Sequence, residues 1–216
     1  MKLYGYWRSS SSWRVRIGLA IKEIDYTYVP IHLVDDGGQQ HSEEYRAMNP
    51  MRQVPLLQWE EDGQVHRLAQ SMAILEYLEE AHPSPSLLAQ SQARRGRIRQ
   101  LAELVNSGIQ PLQNLAVIQK LKAESDIDAR RWCADWIRRG LLAYEQSVAD
   151  EDGPFSVGDR PTMADACLIP QLYNARRFDV ELAELKRLLA IEEACFDHRA
   201  FQVSHPDEQP DAAASR

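Results

Sequence analysis

The chain has 216 residues, 44% of them hydrophobic and 26% charged, with a formal net charge of -7. That length accommodates one large domain or two small ones around a real core, and the composition is too apolar for a disordered chain. The acidic balance argues against a general nucleic-acid binder, which needs a basic face to displace counterions from phosphates.

Up to about residue 85, short β-like runs alternate with turn residues. Beyond that point almost everything reads as helix. Lys2 to Trp7 predicts a first strand and Thr27 to Leu33 a second, with Val29, Ile31 and Leu33 at alternate positions. Between them, Trp13, Val15, Ile17, Leu19 and Ile21 also alternate, which fits a strand. A helix fits as well if Gly18 and Ala20 form a close-packing surface, so periodicity leaves the two readings level. Asp35 to Gly38 reads as a loop and His41 to Met48 as a short helix. Leu56 to Trp59 and Val65 to Leu68 flank Asp62-Gly63, a hairpin signal. Ser71 to His82 predicts a helix that Ser71 caps, and Pro83 and Pro85 stop it. Residues 83–90 read as a linker. Arg94 to Leu121 predicts a long helix kinked at Pro111, and Ala129 to Val148 a second one. Thr162 and Asp165 have the spacing of a capping box. The tail from Ser204 to Arg216 is polar and expected to be only partly ordered.

No stretch approaches the ~20 apolar residues needed to span a bilayer. The opening residues show no apolar signal core, which points to a cytoplasmic protein. Cys133, Cys167 and Cys195 are too few and too scattered for a disulfide framework or a zinc site, so no metal is expected. The six histidines pair with no Cys or Ser nucleophile.

The densest polar cluster runs from Arg8 through Ser9, Ser10, Ser11 and Ser12 to Arg14 and Arg16, between the first strand and the ambiguous segment. At a helix start those hydroxyls can hold an anion or simply cap. Gln53-Val54-Pro55 brings proline to a strand entrance, where a cis turn or an edge leaves backbone groups for a ligand. Gln70-Ser71 is another helix start able to hold a carboxylate. Arg14, Arg16 and the run Arg94, Arg95, Arg97, Arg99 read as structural or solvated.

Several segments together resemble a known family: Arg8-Ser-Ser-Ser-Ser-Trp-Arg-Val-Arg-Ile17, Asp36-Gly-Gly-Gln-Gln40, Asn49-Pro-Met-Arg-Gln-Val-Pro55 and Gln70-Ser-Met-Ala-Ile-Leu-Glu-Tyr-Leu-Glu79. Further matches are Gly108-Ile-Gln-Pro-Leu-Gln-Asn-Leu115, Val157-Gly-Asp-Arg-Pro-Thr-Met-Ala-Asp165 and Ala200-Phe-Gln-Val-Ser-His-Pro206. On these the chain resembles the zeta class of glutathione transferases, the maleylacetoacetate isomerase family. The resemblance implies an α/β plus all-α glutathione transferase fold. A thioredoxin-like domain would occupy residues 1–82, a linker 83–90 and an all-helical substrate-side domain 91–216. It implies a helix for the ambiguous segment, a homodimer, and a glutathione-dependent cis–trans isomerase acting on a small dicarboxylate.

Carried over residue by residue, the resemblance makes Ser9 the donor to the glutathione sulfur, helped by Ser10. It assigns Ser11, Gln40, Val54, Gln70, Ser71, Gln110 and Asn114 to glutathione binding. Arg8 and Arg177 would take substrate carboxylates, with Arg176 as the lesser alternative. One departure is Ser11, where the family motif carries Cys. Maleylpyruvate isomerase, a conjugating or α-haloacid-dechlorinating transferase, and a non-catalytic binding protein are the competing readings. A dithiol oxidoreductase is disfavoured, because the strand-to-helix turn holds serines and no Cys-x-x-Cys.

Overall fold

The computed structural model describes residues 1–212. The chain divides into two compact units, one of residues 1–87 with 199–212 and one of Leu88–His198. The expectation that everything from 91 onward forms one helical domain is corrected for this last stretch.

In the first unit the order is β1 (Lys2–Gly5), α1 (Ser10–Ile21), β2 (Thr27–Pro30), α2 (Glu43–Met48), β3 (Leu56–Glu61), β4 (Gln64–Ala69) and α3 (Ser71–Ala81), with α9 (Arg199–Val203) added from the C-terminus. The sheet runs β2-β1-β3-β4. β1 and β2 are parallel; β1–β3 and β3–β4 are antiparallel. Asp62 and Gly63 make the β3–β4 turn with φ of 51° and 72°. Positive φ at both central residues is what a two-residue hairpin with the native twist demands, and Asp-Gly tolerates it.

The core of this unit joins Leu3 of β1, Val15 and Leu19 of α1, Leu57 of β3 and Ile74 and Leu78 of α3. α1 is a helix despite its alternating sequence. It is buried on nearly every side from Ser12 to Leu19, so no polar face exists to impose a 3.6-residue rhythm. Gly18 is the close-packing point, since a Cβ there would sit 2.4 Å from Leu75 Cδ2.

The second unit holds α4 (Gln92–Asn106), α5 (Leu115–Glu124), α6 (Ala129–Ser147), α7 (Met163–Arg177) and α8 (Lys186–Asp197). α7 is its central helix, buried without interruption from Met163 to Leu172. The single kinked helix expected from Arg94 to Leu121 is instead two helices. α4 ends at Asn106, and Gly108 follows where a Cβ would lie 2.5 Å from the Leu104 carbonyl oxygen. Pro111 then falls in a 3₁₀ turn over Gln110–Gln113, and Asn114 caps α5. The Thr162–Asp165 capping box is formed in full.

The expectation of a partly ordered tail is corrected as far as residue 212: Ser204, Pro206, Gln209, Asp211 and Ala212 are all buried, held by specific partners described below. Residues 213–216 lie outside the described residues. No described helix is long and apolar enough to cross a membrane.

Candidate functional site

Four residues, Tyr6 to Ser9, carry the chain from β1 into α1. Ser9 is the N-cap, with φ -70° and ψ 119°, and its Oγ accepts the Ser12 amide at 3.2 Å. A cap oxygen engaged as acceptor still has its own proton to donate. Ser10 and Ser11 form the first turn, and that turn contains no acidic residue. No side chain of that first turn therefore offsets the positive end of the 12-residue helix. Arg8, half-buried, lies with its guanidinium 5.2 Å from the Trp7 ring centroid.

Other expected site residues gather on the same strand end. Val54 and Leu33 pack against Tyr6 and Trp7. The Val54–Pro55 peptide is cis, and the carbonyl of Gln53 before it accepts from Tyr45 Oη at 2.7 Å and Asn49 Nδ2 at 2.8 Å. Gln40 is buried; its Nε2 donates to the Leu33 carbonyl at 3.1 Å, while its Oε1 meets no hydrogen-bond donor among the described residues.

Gln70 is exposed and sits at φ 73°, a left-handed conformation that costs a non-glycine residue about 1–2 kcal/mol. It occupies the N-cap position of α3 without using its side chain as a cap. The expectation that Ser71 caps this helix is thereby corrected. Ser71 is its first residue, and its hydroxyl accepts from Arg14 Nη1 at 3.3 Å, both groups being buried.

Gln110, Asn114 and Arg177 belong to the second unit. Gln110 opens the 3₁₀ turn, and Asn114 Oδ1 is committed to the Ala116 amide at 3.1 Å. Arg177 donates to Asn174 Oδ1 at 3.0 Å, with its guanidinium 5.9 Å from the Phe178 ring centroid. Arg176 instead makes a bidentate pair with Glu192, at 2.6 and 2.5 Å.

Buried polar groups outside the expected set support the β1–α1 connection. Arg16, fully buried, donates to the carbonyls of Trp7 at 2.9 Å, Tyr6 at 3.5 Å and Ser204 at 3.1 Å. Burial pushes its guanidinium below the ordinary value, opposed by Tyr28, Tyr26 and Asp211. The Trp7 amide donates to Asp211 Oδ2 at 2.9 Å. Arg14 and Arg16 did carry a sequence signal, because charged residues inside an otherwise apolar run must find partners. Asp211 carried none. The three cysteines are buried thiols outside any disulfide, and burial pushes the Cys133 and Cys195 thiols up, away from reactivity. Among the described residues no group of three or more His, Cys, Asp or Glu could hold a metal ion.

Residues 1–80 match the glutathione S-transferase N-terminal domain family. Maleylacetoacetate isomerase of Rattus norvegicus is 49% identical over 212 residues, covering 98% of this chain and 95% of its own. The chain belongs to the maleylacetoacetate isomerase family of zeta-class glutathione transferases. Among solved structures, maleylacetoacetate isomerase from Anaeromyxobacter dehalogenans with glutathione bound in its active site is 51% identical, with a TM-score of 0.90 over 98% of this chain and 97% of that one. A bacterial zeta-class maleylpyruvate isomerase is 38% identical with the same TM-score of 0.90, covering 98% and 100% of the two chains. The fold is the glutathione transferase fold that this family shares.

Proposed function

We propose that the chain is a glutathione-dependent cis–trans isomerase converting maleylacetoacetate to fumarylacetoacetate. The observation that carries this is the Ser9 cap, its hydroxyl held by the Ser12 amide at the N-terminus of α1, whose first turn holds no acidic residue. Free cysteine thiols have a pKa near ~8.5, so a thiol needs help to ionise at neutral pH. A hydroxyl donor and a helix N-terminus are two such aids.

The residues fit glutathione chemically: donors at Ser9 to Ser11, a buried acceptor on Gln40 that meets no donor among the described residues, and a strained Gln70 beside Ser71 at the start of α3. When bound, glutathione supplies a thiolate that adds reversibly to the cis double bond and so permits rotation to the trans form. In this reading Ser9, assisted by Ser10, holds the sulfur in its anionic state. Ser11, Gln40, Val54, Gln70 and Ser71 hold the rest of the tripeptide, and Gln110 and Asn114 are assigned to glutathione by the family resemblance. Arg8 and Arg177 take the substrate carboxylates, because a guanidinium meets a carboxylate with two parallel donors. Arg176 is assigned no such role, since Glu192 already occupies its fork. The reading includes a cytoplasmic homodimer acting in aromatic amino-acid catabolism.

Maleylpyruvate is the second substrate considered, on the strength of the 38% identity to a maleylpyruvate isomerase. Chain-length differences of this size are worth only about 1–3 kcal/mol to a pocket. Turnover of both maleyl diketo acids, with and without glutathione, tests the proposal. Rapid isomerisation of maleylacetoacetate only in the presence of glutathione is expected. Glutathione binding without turnover of either acid would overturn it, and preference for maleylpyruvate would transfer it to the second substrate.

A further inference from the structure

We propose that Asp211 is a positioning residue for this reaction, setting the backbone from which Ser9 is presented by clamping the Trp7 amide. The inference rests on the reading just given, in which Ser9 meets the glutathione sulfur.

Every hydrogen-bonding backbone atom of Tyr6 and Trp7 is engaged. The Tyr6 amide donates to Ser12 Oγ at 3.4 Å, and its carbonyl accepts from the Ser9 amide at 3.0 Å and from Arg16 at 3.5 Å. The Trp7 carbonyl accepts from Arg16 at 2.9 Å. These partners all come from α1 or its cap. The Trp7 amide alone is satisfied from elsewhere, by Asp211, 204 residues further along the chain.

The segment that delivers Asp211 is fastened at both ends. Ser204 accepts from Trp13 Nε1 through its hydroxyl at 3.2 Å and from Arg16 Nε through its carbonyl at 3.1 Å. Asp211 Oδ2 also accepts from Tyr28 Oη at 3.3 Å, so β2, the β1–α1 connection and the C-terminal segment meet at one carboxylate. Arg16 and Asp211 are both buried, and the Asp211 carboxylate favours the charge on Arg16. A buried carboxylate so placed is costly unless its partners are held in position, which makes the arrangement stiff. A group that must hold a reacting sulfur has to stay within a fraction of an ångström of its place.

The test compares the full-length wild type with Asp211→Ala and Asp211→Asn. It follows ultraviolet titration of the bound glutathione thiol, calorimetric glutathione affinity, steady-state kinetics, and amide exchange at Trp7 and Ser9 in the protein alone. In Asp211→Ala the bound thiol should ionise at higher pH than in wild type. Exchange at Trp7 and Ser9 should quicken, and kcat should fall roughly 10- to 100-fold, with glutathione affinity changing far less. Asp211→Asn keeps an acceptor oxygen but loses its charge, so the same changes should be smaller. It carries the test alone should Asp211→Ala fail to fold. A lowered melting temperature with an unchanged thiol titration and unchanged exchange would reduce Asp211 to a structural residue and overturn the proposal. If the wild-type bound thiol ionises no more readily than free glutathione, the isomerase reading itself fails and this inference falls with it.

Discussion

The Lys22 ammonium meets Glu79 Oε2 at 2.8 Å, with the lysine side chain fully buried and the glutamate side chain 6% exposed. The ammonium also donates to the carbonyls of His82 and Pro85, at 2.6 and 2.9 Å. The carboxylate takes further bonds from Ser86 Oγ at 2.5 Å and the Leu87 amide at 2.8 Å. The pair thus pins the end of α3 and the chain after it to α1.

Acid sensitivity follows from that pair. Burial is the largest single influence on the Glu79 carboxyl and raises it, but the bonds from Lys22, Ser86 and Leu87 together outweigh burial and hold it below its ordinary 4.5. A depressed carboxyl contributes stability that is complete above pH 4.5 and is lost as pH falls through the folded-state value. Glu79→Gln should cost about 3 kcal/mol at neutral pH, because it strands a buried ammonium. The gap between wild type and variant should narrow in acid. Urea melts of both proteins from neutral pH to pH 3 check this; a gap independent of pH would contradict it.

Ser9→Ala separates the cap from the chemistry. Loss of an N-cap costs about 1 kcal/mol of stability. A protein of ordinary stability, about 5–15 kcal/mol, stays folded after that loss. Turnover with saturating glutathione should nevertheless fall about 10²- to 10³-fold, as for removal of a donor to a developing anion. Kinetics alongside thermal melts decide the matter. Full activity in a folded Ser9→Ala protein would move the donor role to Ser10 or Ser11.

Gln70→Gly should uncouple stability from binding. Glycine adopts φ of 73° without strain, so the melting temperature should hold or rise. Loss of the amide side chain should weaken glutathione about tenfold, the scale of one or two hydrogen bonds. Calorimetric titration measures this, and unaltered affinity would show that the strained residue serves the turn alone.

Asp165→Ala should act on folding alone. The carboxylate is fully buried and accepts from the Ser156 amide at 2.8 Å, the Thr162 amide at 2.7 Å and the Thr162 hydroxyl at 2.9 Å. Removing it leaves buried donors unpaired, each worth about 1–3 kcal/mol, which exceeds the loss of a simple cap. Chemical denaturation should show a large destabilisation, while kcat per folded molecule stays at the wild-type value.

By itself the sequence determined the features whose causes are local. Asp62-Gly63 demands a tight hairpin whatever surrounds it, and Thr162 with Asp165 writes a helix start within four residues. The helix starts after Ser9 and Gln70 and the turn at Val54-Pro55 were legible for the same reason, since turns and helix starts are set by near neighbours. The family, and with it the fold, was readable from motifs spread along the whole chain. Only the tertiary structure decided the rest. The alternation in α1 becomes helix because neighbours enclose it on nearly every side, erasing the polar face that would have announced its period. The break at Gly108 depends on how close a side chain there would come to the Leu104 carbonyl. Asp211 reaches Trp7 from 204 residues away, a partnership that no short-range pattern encodes, because it exists only once the sheet, α1 and the C-terminal segment have folded together.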